Sequence, residues 1–336
     1  MKKILVTGGA GYLGAVLVPK LLKRGYRVRV LDLFLYGDQT LFPKEFVETK
    51  QLELLKLDLR QTEALKPALH DVDAIIHLAG ISNDPSSDLD PQLTKDVNIT
   101  AVEKFIDLAK QARIPRFINA SSSSVYGIKE EPNVVETLSL EPLTVYSESK
   151  VAIEQYLAKN RGGMISVNVR SATICGYSPR LRLDLTVNIL THHAMLKNKI
   201  TVFGGTQKRP NIHIEDISDF YMNLIDAPSD LINGESFNVC GENHTVMQLA
   251  ELVKKTVAPT ATIETVPTND LRSYHVSAQK ALDVLEFKPK KKIEDAVRDL
   301  AEAFKSGKIK NPEDDRYYNV KTMKRVLADK TPAPRV

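Results

Sequence analysis

Residues Thr7 to Gly14, reading TGGAGYLG, constrain this 336-residue chain more than any other stretch. The apolar run Ile4-Leu5-Val6 precedes them, and Ala15 to Leu22 behind them repeat apolar residues at helical spacing. The segment therefore reads strand, tight glycine turn, helix. Gly8 permits the turn, Gly11 lets backbone approach an anion closely, and Gly14 lets helix and strand pack; the helix start adds open N–H groups and a positive dipole end. A second strand, Arg27 to Leu31, ends in Asp32, eighteen residues past Gly14. A carboxylate there accepts hydrogen bonds from the ribose hydroxyls of a dinucleotide. A glycine turn alone says little, but this order of strand, turn, helix, strand and acid predicts a Rossmann-type, doubly wound α/β fold. Gly8, Gly11, Tyr12, Leu13, Gly14 and Asp32 are then the expected cofactor residues. Because a carboxylate repels a 2′-phosphate and Leu33-Phe34 supplies no arginine, the expected cofactor is NAD.

Bulk properties narrow the class further. Apolar residues at 43% and charged residues at 26% are ordinary for a globular protein. No apolar run reaches the roughly 20 residues of a membrane span, and the first strand lies at the N-terminus, so a cytoplasmic location without membrane association is expected. The net charge of +4, with both signs interspersed, gives no argument for nucleic acid. Cys175 and Cys240 are too few for a disulfide framework, and His192-His193 have no ligand partner in register, so no metal site is expected.

Further along, Leu52 to Lys56 reads as strand three and runs into Asp58-Leu59-Arg60, at the adenine end of such a groove; Asp58 reads equally as a turn aspartate. Ala74 to Leu78 forms a buried strand four, and Ala79-Gly80 after it are small enough to admit a ligand. A long helix from about Gln92 to Arg113 carries Asn98, and Arg116 to Ala120 is strand five. Ser121 to Gly127 follow, and Tyr146-Ser147-Glu148-Ser149-Lys150 opens the next helix. Tyrosine and lysine four apart share a helical face. An ammonium and a positive nicotinamide would each favour phenolate, which makes Tyr146 a candidate general base beside Lys150. Ile165 to Val169 is strand six. Arg180 and Arg182, after Pro179, suit a doubly charged group through their guanidinium forks. Residues 1–170 are thus expected to form the NAD-binding domain, its sheet completed by parts of 200–240. Residues 171–320 would form mostly a smaller, interleaved substrate lobe, with 321–336 as a tail.

Taken together these motifs resemble the extended short-chain dehydrogenases/reductases of the nucleotide-sugar epimerase/dehydratase group, with UDP-glucose 4-epimerase-like members. The matching pieces are Thr7 to Gly14, Asp32, Asp58-Leu59-Arg60, His77 to Gly80, Asn98, Ser121 to Gly127, Tyr146 with Lys150, Arg209 to Asp216, and Asp270-Leu271-Arg272. Ser178 to Asn188 resembles a subgroup containing GDP-heptose 4-dehydrogenases. The resemblance implies catalysis by Tyr146, Lys150 and Ser122, and cofactor contacts from Asp58, Leu59, Ala79, Gly80, Asn98 and Lys150. Substrate contacts would come from Ser123, Thr173, Arg180, Arg182, Asn188, Arg209 and Arg272, the last two at the diphosphate. Thr173 stands where many members carry asparagine. The resemblance also implies a homodimer built on the Asn98 and Tyr146 helices; Val102, Phe105, Ile106, Ala109, Ile153, Tyr156 and Leu157 would serve either that interface or the monomer core.

In the implied first step, tyrosinate takes a sugar hydroxyl proton while hydride passes to the nicotinamide. Members that are 4,6-dehydratases carry Asp-Glu after the active-site hydroxyl; Ser123-Ser124 stand here, which disfavours dehydration. Epimerisation at C4 is the expected reaction of a nucleotide-diphosphate sugar, with 4-dehydrogenation or reduction of a 4-keto sugar as alternatives. A non-catalytic NAD-binding protein would be marked by loss of the tyrosine or the lysine, and both are present.

Overall fold

The computed structural model describes residues 1–37, 39–268 and 273–329. Its strands are β1 (Lys3–Thr7), β2 (Arg27–Asp32), β3 (Leu52–Lys56), β4 (Ala74–His77), β5 (Arg116–Ser122), β6 (Ile165–Ser171), β7 (Thr173–Cys175), β8 (Lys199–Phe203), β9 (Lys208–His213), β10 (Glu235–Val239), β11 (Glu242–Thr245) and β12 (Thr262–Val266). Seven of them build one parallel sheet in the order β10-β6-β5-β4-β1-β2-β3. The order reverses at β1, which lies between β2 and β4, so a crevice opens beyond their C-terminal ends.

Both faces of the sheet are covered, which is why its strands are continuous apolar runs. Every residue of β1 is buried. Successive side chains alternate: Ile4 and Val6 join Leu17, Leu21, Phe220 and Leu224 on one face, and Leu5 joins Ile75, Phe105, Phe117 and Leu157 on the other. The second face answers the question left open by the helix residues. Val102, Phe105, Ile106, Ala109, Ile153 and Leu157 are all buried within this chain, and Tyr156 is held by a hydrogen bond to Asp107 (2.8 Å). The six buried residues belong to the monomer core, and half-buried Tyr156 packs against it.

The long helix expected from about Gln92 to Arg113 is present, unbroken from 91 to 111 as Pro91–Lys95, a widened π turn at Asp96–Thr100 and Ala101–Gln111. The π turn carries Asn98. The second lobe packs helices Thr186–Lys197, Val246–Val257 and Ile293–Lys305 around the parallel pair β8–β12 and the small sheet β11-β9-β7. Of the tail expected over 321–336, residues 321–328 belong to a helix, Asn319–Ala328, whose Thr322 and Met323 are buried, and 330–336 lie outside the described residues. Among the described residues no helix is long and apolar enough to cross a membrane, and no cluster of His, Cys, Asp and Glu suits a metal. Cys175 and Cys240 are buried free thiols. Arg272 lies outside the described residues.

Candidate active site

The glycine turn is imposed by packing. A Cβ on Gly8, where φ is +69°, would come within 2.7 Å of the Ala79 nitrogen, and one on Gly14 would overlap the Gly9 carbonyl. With side chains excluded, β1 and the following helix (Gly14–Lys23) approach closely. The N–H groups of Tyr12, Leu13 and Gly14 stay outside that helix's own hydrogen bonds among the described residues. Asp32 closes the far side: its two oxygens accept from the Ala10 and Phe34 backbone at 2.9 and 2.8 Å. Burial raises its pKa above the usual carboxylate range. Each oxygen retains capacity for another donor. Open N–H groups at a helix start, a turn stripped of side chains and a carboxylate past the second strand are the donor and acceptor set a dinucleotide requires.

Several expected cofactor residues turn out to hold the groove rather than to offer free groups to it. Asn98 accepts from the Ile81 N–H (2.8 Å) and donates to the Ile81 carbonyl (3.0 Å) and Ser149 Oγ (3.3 Å). It thereby clamps the Gly80 loop to the Tyr146 helix. Gly80 has φ +155°, and a Cβ there would lie 2.9 Å from Asn98 Oδ1. Asp58 is engaged by the Arg60 guanidinium and backbone; burial pushes its pKa up, but those bonds hold it below the usual range. In the structure its carboxylate braces the turn through Arg60, and Leu59 beside it is core. The Tyr12 hydroxyl donates to the Gly176 carbonyl (2.6 Å) and accepts from Asn188 (3.1 Å). Asn188 is fully buried and also bonds the Gly176 N–H and the Arg182 carbonyl. Asn188 thereby braces Tyr12 against the Gly176 turn and the Arg182 carbonyl.

The reactive cluster sits at the C-terminal end of β5. Thr144 and Ser147 form a reciprocal capping box that starts the helix Val145–Asn160, placing Tyr146 in its first turn and Lys150 one turn on. Lys150 Nζ donates to the Ala120 carbonyl at 2.8 Å and lies 5.5 Å from the Tyr146 ring centre. The Tyr146 hydroxyl is hydrogen-bonded to Ser122. Ser122 Oγ accepts from the Ser124 N–H (3.1 Å) and Ser124 Oγ (2.9 Å), while Ser123 is buried. Below them Glu154 accepts from Ser121 and pairs with Arg170 at 2.6 Å, which fixes the end of β5 against the helix.

Charge around the phenol is mixed. Burial pushes Tyr146 up to about 12, Asp84 pushes the same way, and the Ser122 hydrogen bond and Arg182 pull it down. Burial brings Lys150 down to about 8. Arg182 is ion-paired with Asp184 at 2.9 Å. Arg180 stands elsewhere, its guanidinium carbon 4.1 Å above the Tyr36 ring and within electrostatic reach of Asp32. Thr173 opposes Asn211 across β7–β9, and half-buried Arg209 lies two residues before Asn211, opposite His244 of β11. Sequence reasoning missed Ser82, Asn83, Asp184 and Asn319, which meet around the two arginines, and Asp84, which accepts from Thr144 near Tyr146. Only the pairing of Arg180 with Arg182 signalled that counter-groups had to exist.

A sequence model of the NAD dependent epimerase/dehydratase family matches residues 4–240. UDP-glucuronic acid decarboxylase 1 of Arabidopsis thaliana is 30% identical over 319 residues, covering 90% of this chain and 70% of the relative. Two further decarboxylases of that plant are matched over 65% of their length. UDP-glucose 4-epimerase of Lactobacillus helveticus is 27% identical, covering 90% of this chain and 96% of the relative. Among solved structures, UDP-glucose 4-epimerase of Thermus thermophilus in complex with NAD superposes with TM-score 0.79 at 24% identity, covering 90% of this chain and 99% of that one. The dTDP-glucose 4,6-dehydratase DesIV of Streptomyces venezuelae gives 0.81 at 22%, covering 91% and 98%. Both likenesses are likenesses of fold.

Proposed function

Since the chain belongs to the NAD-dependent epimerase/dehydratase family, we propose that it inverts C4 of a nucleotide-diphosphate sugar through transient oxidation, with Tyr146 as the base. The observation that carries this reading is the Tyr146–Ser122–Lys150 cluster at the end of β5, followed by two serines instead of an acid and a base. NAD, when bound, would supply a reversible hydride acceptor for C4 and, in its oxidised form, positive charge near the phenol.

The chain's own groups supply the rest. Ser122 holds the reacting oxygen, Tyr146 takes the hydroxyl proton and later gives it back, and Lys150, protonated below about 8, favours phenolate. The Tyr12, Leu13 and Gly14 N–H groups and Asp32 hold the cofactor, with Ala79 and Gly80 admitting it closely. Arg209 and Arg272 would take the substrate diphosphate, and Ser123 and Thr173 would add further substrate contacts. The hydroxyls of Ser123 and Ser124 neither donate nor accept a proton readily at neutral pH, so no second acid–base pair follows Ser122 to drive elimination of water.

A second reading, decarboxylation of a uronic acid nucleotide, is favoured by the 30% identity to the plant decarboxylase. It shares the first step: a ketone at C4 stands β to a carboxylate on C5, and carbon dioxide leaves without a further base. Incubation with UDP-, GDP- and dTDP-hexoses, heptoses and uronic acids separates the readings. Isomerised sugar without net reduced cofactor supports the epimerase, released carbon dioxide the decarboxylase, and stoichiometric reduced cofactor with a keto sugar a dehydrogenase.

A further inference from the structure

Arg180 is only 4% exposed, and its donors are unevenly used. Nη2 donates to Asn319 Oδ1 at 2.6 Å, while Nε and Nη1 are buried with no partner among the described residues. Its loop is fastened to the glycine turn: Ser178 Oγ donates to the Tyr12 carbonyl at 2.7 Å, and the Arg180 N–H donates to the same Ser178 oxygen at 3.3 Å. On its other side lie Tyr36, over which it stacks, and Asp32. Arg180 therefore stands between the helix start and the acid of the cofactor groove, not beside Tyr146.

The charges facing it do not satisfy it. Arg182 repels it, and Asp184 is already engaged by Arg182 (2.9 and 3.2 Å), Asn83 (3.2 Å) and the Asn319 N–H (3.0 Å). Each bidentate edge of a guanidinium pairs Nη2 with Nε or with Nη1; Nη2 spends one hydrogen on Asn319, and its second hydrogen with the idle donor beside it makes a fork that a phosphate group completes. We propose that Arg180 is a ligand of the cofactor diphosphate, delivered from the second lobe and latched by Asn319. Asn319 is tied in turn to Ser82 Oγ (3.1 Å) and Asp184, so the C-terminal helix locks the anion ligand over the groove. This rests on the NAD-binding part of the functional reading and is independent of the sugar or its fate.

The test is a calorimetric affinity ladder on the full chain freed of bound nucleotide, with adenosine, ADP, ADP-ribose, NAD and UDP-glucose as probes. For Arg180→Gln, binding of ADP, ADP-ribose and NAD is expected to weaken about 10- to 100-fold, as loss of a charged bidentate contact implies, with adenosine unchanged. Arg180→Lys, which keeps the charge and lacks the fork, is expected to lose several-fold and decides the matter should the glutamine variant fail to fold. Unchanged ADP affinity in the folded variants overturns the proposal, as does loss of UDP-glucose affinity alone. Wild-type protein that binds NAD and converts no sugar would defeat the proposed reaction and leave the Arg180 assignment standing.

Discussion

Two walls of one groove are built by opposite means. The wall at Thr7 to Gly14 is contiguous, nearly free of side chains, and rigid because added atoms would collide with Ala79 and Gly9. The wall opposite gathers Ser82, Asn83, Arg180, Arg182, Asp184 and Asn319 from three distant segments, and holds by buried charge and hydrogen bonds. The first excludes everything but backbone and so suits an anion; the second needs an anion to be satisfied. Backbone geometry is specified locally by glycine, whereas a buried cation is specified only once its partners are folded around it.

Tyr146 lies where the walls meet, and its removal should have the largest effect. Tyr146→Phe keeps the packing and removes the proton acceptor; kcat is expected to fall by about 10²- to 10⁴-fold, with NAD content unchanged by absorbance of the denatured extract. Substantial turnover in this variant would mean that neither wall serves the chemistry described.

Next in size is the glycine wall. Gly14→Ala forces overlap with the Gly9 carbonyl and should cost about 3 kcal/mol or more of stability, read by urea unfolding, together with loss of copurified NAD. Asn319→Ala cuts the opposite wall's latch, leaving Arg180 and Ser82 without this partner. It should cost about 1–3 kcal/mol and weaken NAD retention while leaving the glycine turn intact. Equal effects of these two substitutions on cofactor retention would erase the distinction between a rigid and a latched wall.

The smallest effect is a pH dependence. Lys150 has a folded pKa of about 8, below its ordinary 10.5. Between those values the unfolded chain binds more protons, so this lysine's burial penalty is complete below pH 8 and is relieved as pH rises toward 10.5. The wild type should therefore gain thermal stability from this group across that window, and Lys150→Met should lose the gain. Identical pH profiles of Tm would remove Lys150 from the account of charge near the phenol.

What was legible in the sequence follows the same division. The sheet, the glycine turn, Asp32 and the Tyr146–Lys150 spacing were readable because each depends on residues within one turn or one strand of each other. Asn98 was located correctly on its helix, but its role as a clamp depends on Ile81 and Ser149, which no spacing reveals. Asn188 is grouped with the substrate residues through the resemblance of Ser178 to Asn188 to a subgroup containing GDP-heptose 4-dehydrogenases; the fold turns it toward Tyr12. The apolar residues of the Asn98 and Tyr146 helices fitted an interface or a core equally, since periodicity shows a buried face and not what buries it. Arg316 to Asn319 reads as a segment able to pack back, but the partners of Asn319 are not readable because they lie up to 237 positions away.

The most direct test of the central claim uses a nucleotide-diphosphate sugar deuterated at C4, followed by NMR of the product and absorbance of reduced cofactor. The account predicts inverted C4 with its deuterium retained and no net reduced cofactor. Deuterium lost from C4 with stoichiometric reduced cofactor, or carbon dioxide released from a uronic acid substrate, would contradict it.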